Sequence, residues 1–482
     1  MKKGLVIVLS LIMNIFVFAQ DKDITIKLSN KEVLSEIIDL NDNGFLLATA
    51  QVTNANPRHP NYLELDKTIK YYSPSLELNW KVDLPIPETA RGTKTQHLIS
   101  TKDAETIYQI YSKGLKTLII TLVKKGKIIN TKQITENIKI KYIQNIFCDN
   151  NNLYMLCTKN NRQYELSKVD EKLILHTFSG TDFTYSNSEI ELPKIENPKK
   201  TSFWHYVGHK NQVIYLKSRM ETDDKYIYKL VSVNDKGIVL NNVKVELPID
   251  NKYLASSTNI KNFAGTINKS SDFYDNGFFI KTKGNLYLSD DCNYFYIYGL
   301  YSNNKKKQKP LTGFFIKKYN IDGTKLFDID SKLPPKLKND NEFCNAIYTF
   351  ERLTILKAEA NSITFQMITA NSLIYTYIYN QKGELLKENY LYLGEKMHVL
   401  DVRYYYAPSI KHKILDLDNN LAPTKEDASI KYLKSLKKQK REKQVRLYYL
   451  PSSENEVLIN FNPALLKADR KINILSFKRN IE

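Results

Sequence analysis

The chain has 482 residues, of which 42% are hydrophobic and 26% charged, with a formal net charge of +19. That apolar fraction sustains a packed core and excludes a disordered chain, while 16 glycines, 15 prolines and 4 cysteines exclude collagen-like and disulfide-scaffold folds. Only 10 of the 71 basic residues are Arg, so the excess charge sits on strongly hydrated lysines rather than on bidentate guanidinium forks. It reads as a solvated lysine-rich surface, with attraction to an anionic cell surface or an acidic polysaccharide as the alternative.

The N-terminus reads as an export signal. Met1-Lys2-Lys3 is a short basic start, Gly4 to Phe18 is an apolar run of about 15 residues, and a small residue, Ala19, precedes Gln20. The run contains Ser10 and Asn14 and falls short of the ~20 apolar residues of a spanning helix. Cleavage between Ala19 and Gln20 is expected, leaving a mature chain with no transmembrane anchor in the periplasm, at the cell surface or outside the cell. Export also argues against nucleic acid as a partner. Cys148, Cys157, Cys292 and Cys344 would then meet an oxidising compartment. A tight hairpin at 149–152 would set Cys148 opposite about residue 153 rather than opposite Cys157, so buried free thiols are the expectation.

After the signal, short segments alternate apolar and polar residues with period two, as in Ile363 to Met367 and Leu373 to Tyr379. Rich in Ile, Val, Tyr and Thr, they are strand signals. Ile37 to Ala48 forms a first strand pair around Asp42-Asn43-Gly44, and Phe273 to Ile280 carries the same Asp-Asn-Gly turn. A hairpin with an N-x-x-G turn is plainest at Tyr226–Pro248, Phe314–Pro334 and Ile374–Leu393. Looser copies lie at Lys67–Pro85, Lys116–Thr135 and Tyr164–Gly180, with a weak one around Asp416 to Asn420. Leu-Pro closes several of them, at Leu84-Pro85, Leu192-Pro193, Leu247-Pro248 and Leu333-Pro334, where a residue without an N–H ends a strand.

Two hairpins per unit make a four-stranded blade. On these D-N-G-aromatic and N-x-x-G turns the mature chain resembles secreted β-propellers, although it carries no WD dipeptide, kelch signature or S-x-D-x-G-x-T-W box. The resemblance implies an all-β, single-domain β-propeller over 20–482, most simply of seven four-stranded blades, with six or eight left open. The long gap between the turns near 235 and 322 is expected to hold insertions or a degenerate blade. Asp23 to Leu28 and the segments at Val457 to Phe461 and Ile472 to Ile474 are expected to pair the two termini and close the ring.

Glu426 to Val445 departs from the pattern: it lacks Gly and Pro, and Ile430, Leu433 and Leu436 give it a narrow apolar stripe. A short basic helical insertion is expected there, with Lys437, Lys438 and Arg441 as candidate contacts to an anionic surface or partner.

The candidate chemistry is sparse. Asp39 to Gly44 begins like a calcium loop, but the twelfth position, which needs a bidentate acid, is Ala50; a hairpin turn explains the residues. His205 and His209 would share a face on a helix, yet Gly208 and strand-like flanks make ordinary strand histidines the expectation. No catalytic residue, metal site or cofactor is expected. Tyr294 to Tyr298 reads as blade packing, whereas Tyr404, Tyr405 and Tyr406 cannot all face one side of a strand and are candidates for a binding surface. The chain is therefore expected to be an exported, non-catalytic binding or scaffold propeller of the cell envelope, with an envelope protein or glycan as its partner. The alternative is a polysaccharide-acting hydrolase or lyase with acids at the propeller channel. Acids and aromatics clustered at the channel mouth would favour the enzyme, and an exposed apolar patch on a side or loop face the scaffold.

Overall fold

The computed structural model describes residues 20–29, 31–53, 64–91, 95–113, 117–135, 143–158, 173–193, 204–254, 256–260, 279–283, 285–289, 291–305, 310–339, 344, 353–358, 362–368, 373–380, 382–392, 446–451, 455–461 and 471–478. The signal segment 1–19, the basic segment 426–445, the calcium-like residues Asp416 to Asn420, and the candidates Tyr404, Tyr405, Tyr406, Lys437, Lys438 and Arg441 lie outside the described residues.

The described residues form an all-β, β-propeller-like fold of six four-stranded sheets, one five-stranded sheet and one two-stranded hairpin, antiparallel throughout. Strand β1 (Gln20–Lys27) opens the chain. Sheet I runs β2 (Glu32–Asp39), β3 (Phe45–Val52), β4 (Glu64–Tyr72) and β5 (Leu78–Leu84). Sheet II runs β6 (Thr95–Ser100), β7 (Thr106–Lys113), β8 (Thr117–Lys124) and β9 (Lys127–Ile134). Sheet III holds β10 (Ile143–Asp149), β11 (Asn152–Thr158), β12 (Leu173–Phe178) and β13 (Tyr185–Ile190). Sheet IV holds β14 (His205–Lys210), β15 (Val213–Glu221), β16 (Lys225–Val233) and β17 (Val239–Pro248).

Sheet V is irregular. Its first-strand position is shared by β18 (Tyr253–Leu254) and, after the hairpin of β19 (Ser256–Ile260) and β20 (Phe279–Lys283), by β21 (Asn285–Leu288). Both β18 and β21 pair with β22 (Tyr294–Ser302), which continues to β23 (Gly313–Asn320) and β24 (Lys325–Lys332). The long gap near residues 235–322 therefore contains a strand interrupted by a hairpin. A four-residue helix, Pro335–Lys338, follows. Sheet VI is β25 (Leu353–Ala358), β26 (Ser362–Ile368), β27 (Leu373–Asn380) and β28 (Leu385–Tyr392). Sheet VII joins β29 (Arg446–Pro451), β30 (Asn455–Phe461) and β31 (Lys471–Lys478), and β1 pairs with β31 as its outer member.

The chain divides into two compact units. The first, residues 1–86, 102–104 and 399–482, contains sheets VII and I; the second, residues 87–101 and 105–398, contains sheets II to VI. In the second unit the sheets pack face to face. Tyr154, Leu156 and Leu175 of sheet III meet Ile214, Leu216 and Val231 of sheet IV, and Phe314 and Ile316 of sheet V meet Phe365, Tyr375 and Tyr377 of sheet VI. Burial falls from the middle strands to the last: β8 is buried along most of its length, whereas only Ile134 is buried in β9.

The three N-x-x-G turns share one geometry. Asn234, Asn320 and Asn380 each accept a bond at their carbonyl from the N–H of Gly237, Gly323 and Gly383, and their own N–H groups donate to the carbonyls of Ile238, Thr324 and Glu384. Each glycine has positive φ, at 80°, 92° and 77°, and a bulge follows, as a type I turn with a left-handed third residue requires. Each glycine also rests on the last strand of the preceding sheet. A Cβ at Gly237 would lie 2.9 Å from the Glu189 carbonyl oxygen, at Gly323 2.7 Å from Val243, and at Gly383 3.1 Å from the Asp328 carbonyl oxygen.

Two loose hairpins hold a non-glycine residue at a left-handed position, the first in the same turn and the second in a loop one residue longer, without the bulge. In the first unit Leu76 takes the left-handed position (φ 61°) and is buried. In the second, the hairpin expected over 164–180 is formed instead by β12 and β13 around 179–184, where the left-handed residue is Phe183 (φ 57°), also buried.

Candidate functional site

Titratable and aromatic side chains converge where sheets III, IV and V adjoin, on the strands β10, β14, β15 and β21. The register of β14 on β15 decides which of them can act together. His205 is opposite Lys217 and His209 is opposite Ile214, with a bulge between Tyr206 and Gly208. Residues 214 and 217 are an odd number apart, so the bulge sends the two histidines to opposite faces of the sheet. They cannot chelate one ion.

His209 faces sheet III. Its ring stacks on Phe147 at a centroid distance of 4.3 Å, and Nε2 lies 3.2 Å from the Cys148 carbonyl oxygen. A carbonyl only accepts, so Nε2 carries the proton and Nδ1 accepts the hydroxyl of Tyr206. Burial pushes the Tyr206 phenol upward, helped by Cys292 and Asp149, which keeps it a neutral donor. Asp149 accepts the N–H of Gln212 at 2.6 Å and fixes the next turn. With both ring nitrogens engaged, His209 pins sheet IV to sheet III.

The other face of β15 turns toward sheet V. Tyr215, Lys217, Arg219 and Glu221 are half-buried there, alternating with buried Ile214, Leu216, Ser218 and Met220. Sheet V answers with Leu286, Leu288, Phe295, Ile297 and Tyr301, and sheet IV adds Tyr226 and Tyr228 from β16. Lys217 Nζ donates to the Leu286 carbonyl at 3.4 Å, and the Tyr226 hydroxyl accepts the Leu254 N–H at 3.1 Å. Burial raises the Tyr228 phenol; Arg219 works against that rise and Glu221 with it, so both charges act on this hydroxyl. Two cations, one carboxylate and several phenols thus line a polar seam between two sheets. No expectation from sequence singled these residues out, because Lys217, Arg219 and Glu221 read as the polar half of an ordinary alternating strand.

Tyr296 and Tyr298 are buried in the core shared by sheets V and VI, with Tyr294 packed against it. This is the packing role expected of Tyr294 to Tyr298. Lys318 is buried beside them with Nζ 4.2 Å from the Tyr294 centroid and 5.8 Å from that of Tyr296. Burial lowers its pKa, and Asp291 opposes that. The negative ring faces replace part of the lost hydration of the ammonium.

The turn at Asp39 to Gly44 is fixed by the backbone. Leu40 N–H donates to the Gly44 carbonyl at 2.9 Å, Asn43 Nδ2 to the Lys102 carbonyl at 2.9 Å, and the Tyr71 hydroxyl to the Asn43 carbonyl at 2.7 Å. The four cysteines are free thiols, with Cys148 opposite Leu153 and Cys157 opposite Ile143. Among the described residues no group of three or more His, Cys, Asp or Glu could hold a metal ion, and no helix is long and apolar enough to cross a membrane.

One buried group makes stability depend on pH. His176 is 4% exposed, its Nδ1 lies 2.9 Å from the Tyr185 hydroxyl, and burial lowers its pKa to about 4. The unfolded chain binds this proton near pH 6.5 and the folded chain does not. The stability contributed is therefore complete above about pH 6.5 and is lost as pH falls toward 4, by on the order of 3 kcal/mol in all. Denaturation midpoints at pH 7.5 and 4.5 should differ less in His176→Gln than in the parent protein.

No protein-family model matches the chain, and no curated protein matches it. Among solved structures, it is similar to the polysaccharide lyase Uly1 at 9% identity and a TM-score of 0.38, covering 94% of this chain and 99% of that one. It is similar to prolyl oligopeptidase B of Galerina marginata at 12% identity and a TM-score of 0.36, over 76% of this chain and 43% of that one. An uncharacterized protein of Listeria monocytogenes EGD-e is similar at 7% identity and a TM-score of 0.38, over 78% of this chain and 87% of that one. At TM-scores this low, nothing of those proteins' chemistry is carried over to this chain.

Proposed function

We propose that the mature chain is an exported, non-catalytic binding or scaffold protein of the cell envelope, cut between Ala19 and Gln20 and built as a seven-bladed propeller closed by β1 on β31. One observation carries the scaffold reading. Leu78, Ile128, Ile129, Ile238, Leu240, Leu326, Leu385 and Leu386 are large aliphatic residues at least 43% exposed, and all follow directly on the turns that lead into the last strands of their sheets. Within the second unit, Gly323 rests on Val243, just beyond Leu240, so one sheet's turn sits beside the exposed aliphatics of the previous sheet. A soluble surface seldom offers such stations in series unless a protein covers them. The proposed occupant is an envelope protein presenting a complementary apolar strip.

The test is gentle crosslinking of the tagged mature protein in its native cell, beside an exported control and the variant Ile238→Asp/Leu240→Asp/Leu385→Asp/Leu386→Asp. The expected result is one or two stoichiometric proteins, lost with the variant. Background proteins alone, in both samples, would overturn the scaffold reading. Turnover on envelope polysaccharides that survives repurification would overturn the non-catalytic one.

A further inference from the structure

We propose that Asn130 and Asn241 guard the outer edges of sheets II and IV, closing them to strand addition by a second copy of this chain. The register places the two at equivalent points. In four sheets of the second unit the last strand carries a one-residue bulge, and the extra residue is an exposed aliphatic. It is Ile129 in β9, Leu240 in β17, Leu326 in β24 and Leu386 in β28, each at least 43% exposed. Each of these strands ends its sheet, with no further strand paired to it among the described residues. An edge strand that opens on exposed aliphatics is a template for another chain, since half of its main-chain groups look outward. The same strand of a second copy is always at hand to use it.

The sheets answer this hazard in two ways, both at the second residue beyond the bulge. In β24 and β28 that residue is a carboxylate, Asp328 or Glu388, and a charge on an edge opposes the docking of a further strand. In β9 and β17 it is uncharged, Thr131 or Asn242, and the preceding asparagine acts instead. Asn130 Oδ1 accepts the Thr131 N–H at 2.7 Å, and Asn241 Oδ1 accepts the Asn242 N–H at 2.8 Å. The Thr121 and Thr131 hydroxyls lie 3.0 Å apart, the close approach of a pair that exchanges no main-chain bonds, so the Thr131 N–H faces the outer edge. Asn242 holds the same position in its sheet, opposite Val231. All four residues are exposed. An incoming strand would need these N–H groups as donors and finds them already bonded. The aliphatic side chains stay uncovered, so a partner that meets them through side chains is not refused.

The test is the mass of the purified mature protein by light scattering over a concentration series, for the parent, Asn130→Val/Asn241→Val and Gln133→Val. Gln133→Val adds the same apolar side chain to exposed β9 without uncovering an N–H. The expected result is a mass at least about twofold above the parent's at high concentration for the double variant alone. An unchanged mass in the folded double variant, or an equal rise in Gln133→Val, would overturn the proposal. If the double variant fails to fold, hydrogen exchange in the parent supplies the second test. Corrected for intrinsic rates, the Thr131 amide should exchange at least about tenfold more slowly than the Gln133 amide, which faces the same edge two residues on. Equal rates would overturn it as well. No partner enters either measurement, so the scaffold reading stands or falls separately.

Discussion

Truncating either partner of the Glu36–Lys67 ion pair is expected to cost the first unit roughly 3–5 kcal/mol, whereas replacing both, as Glu36→Leu with Lys67→Met, should be close to neutral. The carboxylate and ammonium are 3.2 Å apart, with their side chains 2% and 0% exposed. The pair spans a whole strand: Glu36 sits on β2 opposite Ala48, Lys67 on β4 opposite Ala50, and the two alanines of β3 leave the room through which the charges meet. A bulge between Leu34 and Glu36 shifts the register and brings Glu36 to that face in place of Ser35. A lone truncation leaves a desolvated charge behind, which is why the single and double variants should diverge. The two tryptophans make the measurement local: Trp80 lies in the first unit and Trp204 in the second, so denaturation followed through Trp80 in a Trp204→Phe background reports the first unit. If the double variant were as unstable as the singles, the pair would contribute net stability through its own attraction, and the desolvation argument would fail.

This pair shows what the sequence could not disclose. Glu36 and Lys67 are far apart in the chain, and each looks like the polar member of an alternating strand; only the bulge in β2 brings Glu36 to the buried face that Lys67 shares with Ile69. The same holds for Lys217, Arg219 and Glu221, whose setting depends on where β14 starts and on the split of the first strand in sheet V. What could be read was local. The hairpins expected at 226–248, 314–334 and 374–393 are β16–β17, β23–β24 and β27–β28, because a side-chain oxygen within the turn (Asn234, Asp322, Asn380) and a left-handed glycine write that turn into neighbouring residues. The hairpin of sheet III was placed too early because Phe183 holds the left-handed position. Burying its ring offsets a backbone cost of about 1–3 kcal/mol, and that exchange leaves no mark in a turn motif. Leu76 makes the same exchange in sheet I.

Gly44→Ala should then be among the most damaging single-methyl changes in the chain, on the order of 3 kcal/mol or more. Two independent costs coincide there. Its φ of 100° is open to glycine and strained for any other residue, and an added Cβ would lie 2.1 Å from the Tyr72 carbonyl oxygen and 2.9 Å from Ser73 Cα. Both are backbone atoms of the hairpin packed on β3, so relief requires moving β4 itself. Gly237→Ala meets a comparable φ of 80°, but its nearest neighbour is at 2.9 Å and lies in the adjacent sheet, which can shift as a body. It should cost less, nearer 1–2 kcal/mol. Trp80 fluorescence reads the first variant and Trp204 fluorescence the second, since the two glycines fall in different units. The comparison also bears on the calcium-like appearance of Asp39 to Gly44. If Gly44→Ala is far more harmful than Gly237→Ala in calcium-free buffer, the glycine answers to the Tyr72 carbonyl and no ion is needed to explain it. If the two cost the same, the strand moves aside easily and close approach is not what selects glycine at this turn.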